Sequence, residues 1–192
     1  MARSSKAALH RLAQEVRREL NLDDYEPFDM RLWAEEYGVP IVSAAEVGAS
    51  AAAMNHITSK APHVWSAALI QDGMGHVIVY NPAHTRVRVR SNLAHEVGHI
   101  VAEHALEPTW LDQDGGCTAT NKAQELEAAE LAGALLIPQP MAQRAAMRQE
   151  RAEVIADRYQ VSIEMASWRM RMSGGAHIAA RRKARQRAAS NT

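Results

Sequence analysis

Apolar residues recur along this chain with two periods, and the switches between them mark its elements. Leu9, Leu12, Val16 and Leu20 stand three or four residues apart among charges, which predicts an amphipathic helix from Ser4 to Leu20. A second helix is expected from Asp29 to Tyr37. Asp29 caps it, Leu32 and Trp33 anchor it, and Gly38 followed by Pro40 stops it. Ile41-Val42 then reads as a short strand, and the alanine-rich stretch Ala44 to Ala53 as irregular. Val64 to Ile70 and His76 to Tyr80 flank the glycine-bearing Gln71-Asp72-Gly73-Met74-Gly75, the pattern of a β-hairpin.

Arg86-Val87-Arg88-Val89-Arg90 alternates with the period of a strand, yet the residues after it have the period of a helix, so a helix is placed from near Thr85 onward. Its three arginines read as a solvated face. From Asn121 to Ile137 the chain is apolar almost all round, which predicts a buried helix stopped by Pro138. Beyond Pro138 and Pro140, Glu153 to Met170 has the cadence of a helix-turn-helix, broken at Gln160 to Ser162 with Ser162 as the cap of the second helix. The expected fold is α+β, mostly helical, with a small antiparallel sheet beside the helix that follows the hairpin. Four parts are expected: an N-terminal helix and connection (1–28), a core (29–137), a C-terminal helical part (138–175) closed by Gly174-Gly175, and a basic, disordered tail (176–192).

Composition narrows the setting. With 192 residues, 47% of them hydrophobic, the chain can bury a core of ordinary size. The 22 Lys and Arg balance the 22 Asp and Glu, so no overall field advertises a nucleic-acid partner. Arg181, Arg182, Lys183, Arg185 and Arg187 are the exception, a run without acids through which nucleic acid could be touched. The single cysteine, Cys117, excludes an internal disulfide and suits a reducing compartment. The first residues lack the apolar core of a signal peptide and no long apolar run is present, so a cytoplasmic protein without membrane attachment is expected.

The chemistry is carried by Ser91-Asn92-Leu93-Ala94-His95-Glu96-Val97-Gly98-His99-Ile100-Val101. In a helix His95 and His99 leave the same face and can hold one metal ion, while Leu93, Val97, Ile100 and Val101 form the opposite, packed face. A hydrolytic Zn²⁺ needs three protein ligands and an open position for water, and Glu96 is placed to take a proton from that water. Gly98 costs a helix about 1 kcal/mol relative to alanine. Its place beside the histidines suggests that another element approaches there.

The third ligand must come from elsewhere. The longer pattern His-Glu-x-x-His-x-x-Gly-x-x-His is excluded, because Ala102 and Ala105 occupy its glycine and third histidine. Glu127 and Glu130 lie inside the apolar helix, where an unpaired carboxylate costs several kcal/mol and so needs a cation, a donor or a metal. Glu127 is the first choice for ligand and Glu130 for an acceptor that orients a histidine; capping, or pairing with an arginine, is the plainer role for either. His76, Tyr80 and His104 are candidates to steady an oxyanion, although His104 falls on the apolar face of its helix, where a structural role is the plainer one. The loop Leu106 to Thr120 reads as a plain connection or a lid, with Cys117 a free thiol or an inhibitory one.

These two helices, the second written Glu125-Leu126-Glu127-Ala128-Ala129-Glu130-Leu131-Ala132-Gly133-Ala134-Leu135-Leu136-Ile137-Pro138, resemble the ImmA/IrrE family of metallopeptidases. Tyr80-Asn81 and Tyr159-Gln160-Val161-Ser162 extend the resemblance, which covers roughly residues 30 to 172. The chain departs from the family pattern at Ala129, where asparagine is usual. The resemblance implies a zinc peptidase of the gluzincin type, with His95, His99 and Glu127 at the ligand positions and Glu96 as the catalytic glutamate. It also implies an endopeptidase that regulates genes by cleaving a helix-turn-helix repressor, in mobile-element induction or a stress response. The alternative is a regulatory module that docks a repressor or DNA on the same scaffold without cutting; a general base such as Glu96 has no use there.

Overall fold

Ser5, at the foot of the first amphipathic run, accepts from the Ala8 N–H and so starts helix α1, Lys6–Glu19. The computed structural model describes residues 4–105 and 122–190. Asp29 accepts from the Arg31 and Leu32 N–H groups to start α2, Met30–Tyr37, and Gly38 ends it in the left-handed conformation. Strand β1 is Ile41–Ser43. The alanine-rich stretch expected to be irregular is partly helical: α3, Ala51–Asn55, capped by Ser50, runs into a π-helical turn, His56–Lys60.

The hairpin forms as β2, Ala67–Asp72, and β3, Gly75–Tyr80, with Gly73 at φ +58° in the turn. The sheet order is β1-β3-β2, which leaves β2 on an edge. It is mixed rather than antiparallel, since β1 runs parallel to β3 with Ile41 opposite Ile78. The long connection through α3 returns the chain to the same end of the sheet and makes that parallel pairing possible.

Helix α4, Arg86–Val101, begins after Thr85 despite the strand-like alternation. Its arginines do more than face solvent. Arg90 donates to the carbonyls of Phe28, Tyr159 and Gln160, and Arg86 to the Gln160 side chain. Helix α5, Lys122–Leu136, is the centre of the molecule: Leu131, Leu135, Leu136 and the following Ile137 are fully buried, each worth on the order of 2 kcal/mol. Helices α1 and α4 pack along it.

Three helices follow: α6, Gln139–Arg148, α7, Ala152–Tyr159, and α8, Ile163–Met172, the last capped by Ser162 accepting from the Met165 N–H. Gln160 takes φ +54° at the break between α7 and α8, where the helix-turn-helix cadence put it. Trp168 and Arg169 of α8 fill the place of a side chain at Gly133 of α5. The tail expected to be disordered is helical as α9, Gly175–Ser190: its first turn packs on Gln143 and Ala146 of α6, and alanine, arginine, lysine and glutamine favour helix over the exposed remainder. Among the described residues no helix is long and apolar enough to cross a membrane.

Candidate metal centre

Leu93, Ala94 and Val97 are buried, which fixes the rotation of α4 and turns His95 and His99 toward α5. The two Nε2 atoms lie 3.1 Å apart. The Glu125 carboxylate completes the group, with Oε2 at 3.0 Å from His95 Nε2 and Oε1 at 3.3 Å from His99 Nε2. Among the described residues these three form a set whose ligand atoms all lie within 4.8 Å of one another. Donors bound tetrahedrally to zinc at its usual bond lengths sit about 3.3 Å apart. Two imidazole nitrogens and a carboxylate at these separations therefore fit such an ion.

Glu125, rather than Glu127, meets the two rings because of how the helices cross. A Cβ on Gly98 would sit 2.8 Å from the main-chain oxygen of Ala128, so α5 rests directly on α4 at that point. Glu125 is one turn before Ala128 and shares its face. Glu127 projects about 200° round the helix from Glu125, away from the paired Nε2 atoms. Its carboxylate accepts from the Ser4 N–H at 2.7 Å and lies 3.5 Å from His104 Nε2. Glu130 does meet a histidine, but it is His10 of α1, at 2.8 Å. Lys6 at 2.9 Å and Arg169 at 3.1 Å complete its shell, so it acts as the buried hub of a charge cluster that includes neither of the paired rings.

Burial, together with the charge of Glu125, pushes the Glu96 carboxyl up to about 7, against the pull of a backbone hydrogen bond from Leu69. A carboxyl poised near neutrality can both take and give a proton. Leu69 belongs to β2, so the edge strand of the sheet runs past Glu96. Burial, with His95 and His104 adding to it against the pull of Glu125, holds His99 down to about 4, so its ring is neutral near pH 7, the form of imidazole able to take a metal ion.

The three candidate oxyanion donors separate. His76 faces Gln71 near the hairpin turn and Tyr80 faces Ala67 at the far end of β3. His104, which lies just beyond α4, sits with Nδ1 3.1 Å from His99 Nδ1. Reading the sequence missed Glu125 and the His104 contact; the signal for Glu125 was its one-turn spacing from a small residue able to face Gly98. Cys117, its loop and the Asn121 cap lie outside the described residues.

No curated protein matches the chain. The model of the IrrE N-terminal-like domain, peptidase family M78, matches residues 34–171, well over half of the sequence and including α4 and α5. By that match, and by the pairing of the His-Glu-x-x-His helix with a glutamate from the following helix, this chain belongs to the IrrE N-terminal-like peptidase family, the ImmA/IrrE type.

Proposed function

We propose that this protein is a zinc-dependent endopeptidase that acts in the cytoplasm on a helix-turn-helix transcriptional repressor and so regulates genes. The observation that carries the reading is the convergence of His95, His99 and Glu125 within 4.8 Å, next in sequence to the half-buried Glu96. His95, His99 and Glu125 would hold the ion. When bound, zinc supplies Lewis-acid chemistry, lowering the pKa of a water and drawing charge from the scissile carbonyl oxygen. Glu96 takes one proton from the attacking water as its oxygen bonds to the carbonyl carbon. It then delivers that proton to the leaving nitrogen as the C–N bond breaks, which restores the carboxylate.

Strand β2 supports an extended substrate. It is an edge strand, its Leu69 N–H reaches Glu96, and an exposed edge holds a peptide by main-chain hydrogen bonds. The choice of a repressor as substrate rests on the family resemblance.

The test is incubation of the zinc-loaded protein with a helix-turn-helix repressor encoded beside it, alongside Glu96→Gln and a chelated sample. Cleavage by the wild type, a fall of roughly 10²- to 10⁴-fold in Glu96→Gln, and loss on chelation are expected. Cleavage by Glu96→Gln at the wild-type rate refutes the mechanism. Binding without cleavage, by the wild type and variant alike, favours the docking module.

A further inference from the structure

We propose that His104 and Glu127 are positioning residues that hold the His99 ring in its metal-binding orientation; this rests on the metal site proposed above. His99 turns Nε2 toward His95 and Glu125, at 3.1 and 3.3 Å. A neutral imidazole that binds metal through Nε2 carries its hydrogen on Nδ1, and that N–H needs an acceptor. Among the described residues the atom within hydrogen-bond distance of His99 Nδ1 is Nδ1 of His104, at 3.1 Å. To accept there, His104 must carry its own hydrogen on Nε2, which faces Glu127 Oε2 at 3.5 Å. With Nε2 of His99 given to the metal, one tautomer of each ring satisfies both of the contacts behind it.

The backbone is shaped to make this possible. Glu103 takes φ +52°, a left-handed conformation uncommon for a side chain of this kind, and turns the chain back at the end of α4. The His104 N–H then donates to the His99 carbonyl at 3.0 Å, which pins one ring against the other. The side chain of His104 is only 5% exposed and that of Glu127 12%, so water competes little for either. The other Glu127 oxygen accepts from the Ser4 N–H, fixing the carboxylate from the far side. A buried carboxylate that binds no metal itself thus sets the tautomer of a ligand two contacts away.

Two readouts test this. In the zinc-loaded wild type, nitrogen-15 NMR of the histidine rings is expected to show hydrogen on Nδ1 of His99 and on Nε2 of His104. Hydrogen on Nδ1 of His104 overturns the proposal and needs no variant. In competition with a chromophoric chelator, His104→Ala and Glu127→Ala are expected to bind zinc about 10- to 100-fold more weakly. His104→Asn, whose amide oxygen can accept at the place of Nδ1, is expected to recover most of the loss, and His104→Leu, which only fills space, is not. Equal recovery by Leu and Asn would reduce the role to packing and overturn the proposal. If the wild type binds zinc, Glu125→Ala abolishes binding and His104→Ala leaves it unchanged, the positioning role falls while the metal site stands. A wild type that binds no zinc removes both.

Discussion

At Glu130 a carboxylate sits inside the protein with its side chain 8% exposed, and it stays charged because three donors surround it. The hydrogen bond from His10, then those of Lys6 and the charge of Arg169, hold its pKa down to about 2 against the cost of burial. Because the folded-state pKa lies below the ordinary 4.5, the cluster adds stability above pH 4.5 and loses it as pH falls toward 2. The full span is on the order of 3 kcal/mol. Urea unfolding between pH 7 and pH 2 is expected to show that loss in the wild type and to lack most of it in Glu130→Gln, which should also be less stable at pH 7. Arg169→Ala should cost roughly 1–3 kcal/mol, since it takes away one of the three donors to the carboxylate and also the one to the Ile137 carbonyl. From the sequence alone, both Glu127 and Glu130 were legible as carboxylates in need of partners. Which partner each one found was not, because those of Glu127 are Ser4, before α1, and His104, just beyond α4, and those of Glu130 come from α1 and α8, all distant along the chain.

Between elements, the crossing of α4 and α5 decides the chemistry. Gly98 could be read as a point of close approach, but not what approaches it; the answer is the Ala128 backbone. That contact sets the rotation of α5 and with it the choice of Glu125 over Glu127. Gly98→Ala would put a methyl group against a main-chain oxygen that cannot swing aside, so the helices must separate. A loss of about 1–3 kcal/mol in denaturant unfolding, with weaker zinc binding in a chelator competition, is the expected outcome. An alanine tolerated at no cost in both would show that the crossing does not fix the site. The same scale explains α3, β1 and α9. Local pattern is weak in an alanine-rich segment, strand direction depends on a connection of some twenty residues, and α9 draws on helix propensity rather than on an apolar stripe.

Across the molecule, α5 is held from several sides, and α1 is one of them although it precedes the family match. Leu9, Ala13, Val16 and Leu20 are buried, Arg17 donates to the Leu135 carbonyl at 2.8 Å, and Ser4, Lys6 and His10 reach the glutamates of α5. Removing residues 1–22 is therefore expected to cost several kcal/mol, a large part of a typical total, and to give a protein that unfolds at much lower denaturant or fails to fold. Removing residues 179–192 from the exposed part of α9 should shift the unfolding midpoint little and leave zinc affinity unchanged.

The sequence by itself determined the local structure and the local chemistry. Periodicity, caps and stop residues placed α1, α2, the hairpin, α4, α5 and the α7–α8 pair, and the spacing of His95, Glu96 and His99 is a property of one helix. Only the tertiary structure decided which glutamate meets those rings, which histidine backs them and which strand runs beside them. Each of these depends on the rotation of one element against another, and that rotation is set by contacts such as Gly98 on Ala128, between residues that no short-range pattern connects.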